Sequence, residues 1–201
     1  MSSTPIELHF DVVSPYSYLA VQRIDALRER TGRAVIWRPF FLGGVLQASG
    51  NRAPAMVPNK GIALLRDLTR SAAQLGVPFR YAESFPFSTI AHQRILTVLS
   101  EEDQAGCEAL TRALFRAYWA EGVDPADVGA LADLIRGVGL DPEPLLAATQ
   151  DQRVKDALKA ATDAAVDRGA FGAPTFFVGE RMWWGHDRMD LLAFCLENEV
   201  D

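Results

Sequence analysis

Strand-like patterning in this 201-residue chain is confined to its two ends, and almost everything between reads as helix. That order limits the fold more than composition does. Ile6, Leu8, Phe10 and Val12 alternate with Glu7, His9 and Asp11, the period of two expected of a strand. After Pro15, apolar residues at Tyr16, Leu19, Ala20, Ile24 and Leu27 follow helical spacing, and Gly32 is a natural stop. A β-rich run, AVIWRPFFL (34–42), comes next. Strand, helix and strand in so short a span predict a βαβ unit with a right-handed crossover and parallel strands. Near the other end, PTFFVG (174–179), a GER turn and MWW predict a hairpin. HDRMDLLAFCLEN then predicts a terminal helix, capped by Asp187 with Asp190 three residues on.

The middle is different in kind. GGVLQASGNRAPAMVPN (43–59) is rich in Gly, Pro and Asn and reads as a long loop, a length often kept for function. GIALLRDLTRSAAQLG, FPFSTIAHQRILTVLS and EALTRALFRAYWAEG predict amphipathic helices. DPADVGALADLIRGVG and DPEPLLAAT each open on Asp-Pro, which makes Asp124 and Asp141 the expected N-caps. QRVKDALKAATDAAVDRG is a last helix, closed by Gly169. No internal repeat or low-complexity tract is visible.

Charge and cysteine usage narrow the function classes. Lys and Arg number 20 against 26 Asp and Glu, a net charge of −6, and they form no basic stripe, so a nucleic-acid partner is not expected. No apolar run approaches a membrane span, and residues 1–8 are too short and polar for a signal peptide. Cys107 and Cys195 are far apart, belong to no C-x-x-C pair and sit in apolar-periodic segments, where they read as small hydrophobes. A cytoplasmic location is expected. His9, His92 and His186 lack ligand spacing, and no metal site is expected.

The chemistry concentrates at HFDVVSPYSYLA (9–20), where strand gives way to helix at Ser14-Pro15-Tyr16-Ser17. The order βαβ, helices, ββα is the layout of a thioredoxin-like α/β domain with a large all-helical insertion. It divides the chain into 1–45 and 165–201 for the discontinuous thioredoxin-like part and 46–164 for the insertion. In that layout the first strand–helix junction is the active site. Redox members place C-x-x-C there. Serine cannot exchange disulfides, which disfavours a disulfide oxidoreductase, but its hydroxyl can hydrogen-bond a thiolate brought by another molecule. Ser14 is equally an ordinary helix N-cap. FGAPTFFV (171–178) places Ala173-Pro174 where such folds carry a cis proline, which leaves the backbone of Ala173 free to pair with a peptide-like ligand. Glutathione offers both a thiol and a peptide backbone.

FDVVSPYSYLA, SGNRAP with PNKG, AYWAEG, GAFGAPTFFV and MWWGHDRMDLL run in order from residue 10 to residue 192. With them the chain resembles the 2-hydroxychromene-2-carboxylate isomerases and the related kappa-class glutathione transferases, in the DsbA-like group. The resemblance implies that Ser14 holds the glutathione sulfur as thiolate. It implies that Asn51, Ala173, Pro174, His186 and Asp187 bind glutathione, the last two at its γ-glutamyl end. Ser17, Lys60 and Trp184 are candidate substrate contacts. It further implies a homodimer acting on a small molecule in aromatic catabolism, as a glutathione-dependent cis–trans isomerase. A kappa-like transferase and a non-catalytic glutathione- or peptide-binding module are the alternatives. Tyr118 and Trp119 read as core.

Overall fold

Strand β1 (Ile6–Phe10) is the axis of the molecule. The computed structural model describes residues 4–81 and 84–200. β1 pairs in parallel with β2 (Val35–Pro39), Leu8 opposite Trp37, and antiparallel with β3 (Thr175–Val178), Leu8 opposite Phe176. β3 turns through Gly179-Glu180 into β4 (Arg181–Trp184), giving the order β2-β1-β3-β4. Alternation in β1 sorts its side chains between two cores rather than between core and water. Ile6, Leu8 and Phe10 join the main core, while His9, only 6% exposed, packs edge-on against Phe40 and Phe177.

The crossover from β1 to β2 is two helices where one was expected. α1 (Pro15–Val21) ends at Gln22, and α2 (Ile24–Thr31) runs to Gly32, whose φ of +63° closes it. At the break, Arg23 donates to the carbonyl of His186 and pairs with Asp190 near the far end of the chain. The stretch read as a loop from 43 to 59 contains a helix, α3 (Leu42–Ala48), and a 3₁₀ turn (Pro54–Met56). Glycines lower intrinsic helix propensity, but here they admit a neighbour. A Cβ on Gly44 would stand 3.2 Å from Thr162 Cγ2.

α4 (Pro58–Leu75) starts earlier than its pattern suggests and buries Leu64, Leu68 and Ala72, the i, i+4, i+8 stripe of an amphipathic helix. α5 (Ile90–Glu102) and α6 (Gln104–Arg116) pack beside β2. A π-helical turn (Ala117–Glu121) follows, with Tyr118 and Trp119 buried as expected of core residues. α7 (Val128–Gly137) is capped by Asp127, which accepts from Gly129 and Ala130 N–H. Asp124, the expected cap, accepts from Ala126 in the preceding turn instead. Asp141 does cap α8 (Pro142–Ala148). α9 (Gln152–Asp167) lies against α3 and β2.

Asp187 does not cap the terminal helix. It sits in a 3₁₀ turn (His186–Arg188) ahead of α10 (Met189–Asn198), and its carboxylate pairs with Arg188 at 2.8 Å. Helices α3 and α9 run across the boundaries expected at 45/46 and 164/165. The main core is continuous from the sheet into α4, α5, α6 and α7. Among the described residues no helix is long and apolar enough to cross a membrane.

Candidate functional site

The turn between β1 and α1 is fixed from several directions. Asp11 is fully buried and accepts from Val13 N–H at 3.1 Å and Leu42 N–H at 2.9 Å, tying the turn to the start of α3. Burial pushes its carboxyl up to about 6 against those hydrogen bonds. Trp119 Nε1 donates to the Val12 carbonyl at 2.9 Å. Gln93 Nε2 donates to the carbonyls of Phe10 (2.9 Å) and Phe40 (2.8 Å). The inserted helices therefore hold the turn that displays Ser14.

Ser14 is buried, and its Oγ is doubly engaged. It accepts from Ser17 N–H at 3.1 Å, capping α1, and donates to the Ala173 carbonyl at 3.0 Å. The cap and the long-range contact coexist because one uses a lone pair and the other the single hydroxyl hydrogen. The Ala173–Pro174 peptide is cis, as the sequence suggests, and a second cis bond lies at Phe85–Pro86. The Ala173 N–H has no partner among the described residues. Gly185 N–H donates to the Pro174 carbonyl at 3.0 Å, joining the proline loop to the end of β4. Gly185 adopts φ +99°, and a Cβ there would meet Asp187 Oδ1 at 2.5 Å. Glycine at this position turns the chain so that His186 and Asp187 face the proline loop.

Between these parts lies a cleft of about 380 Å³, within the usual size of a small-molecule site. Ala173, Trp184, His186, Asp187, Tyr16 and Asp67 are among the residues that line it. Tyr16 Oη donates to Asp67 at 2.6 Å, and its ring stacks on His186 with centroids 5.3 Å apart. Burial, followed by the Asp67 carboxylate, holds the Tyr16 phenol above its ordinary range, so it stays a donor. Burial lowers His186, with Asp187 and Asp67 opposing, which leaves the imidazole neutral at pH 7.

The structure gathers Ala173, Trp184, His186 and Asp187 around this cleft; Pro174 and Ser14 do not line it, and Ser14 is joined to its wall through the Ala173 carbonyl. It does not bring every candidate there. Ser17 is fully buried, its hydroxyl lacks a partner among the described residues, and it lines neither this cleft nor its neighbour. Asn51 is exposed and donates through Nδ2 to the Phe171 carbonyl at 3.1 Å, which braces the proline loop from outside. Lys60 lines a separate cleft on the other side of Tyr16. Sequence reasoning missed Tyr16, Arg23, Asp67 and Asp190. The available signals were the position of Tyr16 inside SPYS and the polar i, i+4 pair Asp67 and Ser71 on the cleft side of α4.

Comparison with known proteins agrees with this geometry. A DsbA-like thioredoxin domain matches residues 5–197. A 2-hydroxychromene-2-carboxylate isomerase of Sphingobium xenophagum is 33% identical over 190 residues, covering 93% of this chain and 95% of its own. Glutathione S-transferase kappa 1 of Caenorhabditis elegans is 30% identical over 204 residues, covering 96% and 90%. A solved 2-hydroxychromene-2-carboxylate isomerase superposes with a TM-score of 0.86 at 28% identity, over 96% of this chain and 95% of that one. The strand order, the cis proline across from Ser14 and these full-length similarities agree, and the chain belongs to the DsbA-like thioredoxin family, on the branch of the 2-hydroxychromene-2-carboxylate isomerases and kappa-class glutathione transferases.

Proposed function

We propose that the protein is a glutathione-dependent enzyme, an isomerase of 2-hydroxychromene-2-carboxylate-type hemiketals, with Ser14 as the group that stabilises the glutathione thiolate. The observation that carries this reading is the Ser14–Ala173 contact: a hydroxyl aimed at the cis-proline loop, beside a backbone N–H with no partner of its own. A peptide backbone laid along the loop satisfies that N–H. Asp187 and Asp67 at the cleft offer carboxylates to an ammonium group. These features suit the peptide backbone and the γ-glutamyl end of glutathione. Its similarity to both named relatives supports the same reading.

Ser14 acts by redirecting one hydrogen. Turning its O–H from the Ala173 carbonyl to a sulfur anion exchanges a neutral bond, worth about 1 kcal/mol net, for a charge-assisted one of roughly twice the strength. A free thiol has a pKa of about 8.5, so only a few per cent is ionised at neutral pH. Lowering it by two units corresponds to about 2.7 kcal/mol. The hydroxyl, assisted by the backbone dipoles at the start of α1, is of the right size to contribute most of that. Bound here, glutathione supplies a thiolate that adds reversibly to a conjugated double bond, allowing rotation before it leaves. Tyr16 and Trp184 wall the site, and neutral His186 adds no competing charge to the sulfur.

The test is an ultraviolet difference titration of glutathione into the native protein and into Ser14→Ala at pH 7. A thiolate band in the native protein that disappears in the variant is the expected result. A band that survives the substitution removes Ser14 from the chemistry. Glutathione regenerated during turnover supports the isomerase, and glutathione consumed supports the kappa-like transferase.

A further inference from the structure

Beyond Tyr16, on the side away from the cis proline, lies a second cleft of about 550 Å³, lined by Pro54, Lys60, Arg66, Asp67, Arg70 and Tyr16 itself. Its cations differ from most of the arginines around the sheet. Arg23, Arg28, Arg30, Arg112 and Arg168 are each committed to a carboxylate. Lys60, Arg66 and Arg70 have no described partner. The acid among these lining residues, Asp67, is already held by the Tyr16 hydroxyl. Arg66 and Arg70 stand four residues apart on α4, so two like charges share one helix face, an arrangement that repels unless an anion lies between them. The helical period brings Lys60 round to the same cleft, where Pro54 and the Tyr16 ring supply apolar surface.

We propose that this basic cleft binds the carboxylate of the electrophilic substrate, with Arg66 and Arg70 as specificity-determining residues that select conjugated aromatic acids over their neutral counterparts. Arginine suits the task because its planar fork matches a carboxylate in two-point contact. The two clefts share Tyr16 and Asp67, so an acid seated on the arginines lies one ring away from the thiol site. The inference rests on the thiolate reading for the identity of the reaction, but the anion site stands on its own geometry.

A carboxylate clamp equally suits the terminal carboxylate of a thiol peptide, and the experiment separates the two. Chromone-2-carboxylate and chromone-2-carboxamide, two unreactive probes of matching shape, are titrated into the native protein and into Arg66→Gln/Arg70→Gln. Each titration is run with and without saturating S-methylglutathione. Both arginines are exposed, so the variant retains the fold, checked by its circular dichroism. The acid is expected to bind the native protein about tenfold more tightly than the amide, and this preference weakens with salt. In the variant the preference falls away while affinity for S-methylglutathione is unchanged. Equal affinity for acid and amide, no binding of either, or a preference that survives in the variant overturns the proposal. Loss of S-methylglutathione affinity with the acid preference intact also overturns it and assigns the cations to the peptide. Acid preference without a thiolate band leaves the cleft standing and removes the thiolate reading.

Discussion

On the proposed reading, Ser14 shares a single hydrogen between structure and chemistry. In the free protein the Ser14 hydroxyl is satisfied on both sides, donating to Ala173 and accepting from Ser17 N–H. Its neighbour Ser17 is the reverse case, a buried hydroxyl with no partner among the described residues. Ser17→Ala is therefore expected to leave stability unchanged or raise it by up to about 1 kcal/mol, because the lost group was desolvated without compensation. Gln93→Leu is expected to lower stability by about 1 kcal/mol, since the Phe40 carbonyl loses its donor while that of Phe10 keeps the Phe40 N–H. Urea unfolding of both variants checks the pair. The sequence SPYS shows two serines three residues apart but not which of them reaches the cis-proline loop. That depends on the rotation of α1, which the packing of Tyr18, Leu19 and Val21 sets.

At the scale of elements, the two ends of the chain were legible because period-two patterning and a tight turn are local signals. The errors came where tertiary contact overrides local preference. α3 forms in a glycine-rich stretch because Gly43 and Gly44 pack closely against Phe41 and Thr162. Asp187 looked like a cap because the sequence does not reveal the 3₁₀ turn that Gly185 introduces before α10. That turn yields a comparison of two glycines. Gly179 has φ +59° with open space around its α-carbon, whereas Gly185 has φ +99° with Asp187 in the way. Alanine at 179 is expected to cost about 1 kcal/mol, and alanine at 185 about 2 to 3 kcal/mol. Only the change at 185 should also weaken glutathione binding, which isothermal titration measures directly.

The whole molecule carries a pH dependence with opposing parts. Burial lowers His9, His186 and His92, the last to about 4, so each takes a proton more readily when unfolded. Their contribution is full above pH 6.5 and declines as pH falls below it. Asp11 has the opposite sign. Its folded value of about 6 exceeds the ordinary 3.8, so between those values its contribution grows as pH falls. In Asp11→Asn, the loss of stability between pH 6 and 4.5 is expected to be steeper than in the native protein by about 1.5 kcal/mol, read from urea midpoints across that range. None of this was legible from three scattered histidines and an aspartate in a strand-like run, because burial is a property of the assembled core. The unpaired cations of α4 were hidden for the same reason: an ion pair is recognised only when both partners are placed. The chain's own sulfurs close the account. Cys107 is buried in α6 with its thiol pushed up to about 12, and Cys195 is buried in α10. On the proposed reading, a protein that borrows its reactive sulfur and keeps its own out of reach is hard to poison. Peroxide acts first on a molecule that diffuses away, and the polypeptide remains ready for the next one.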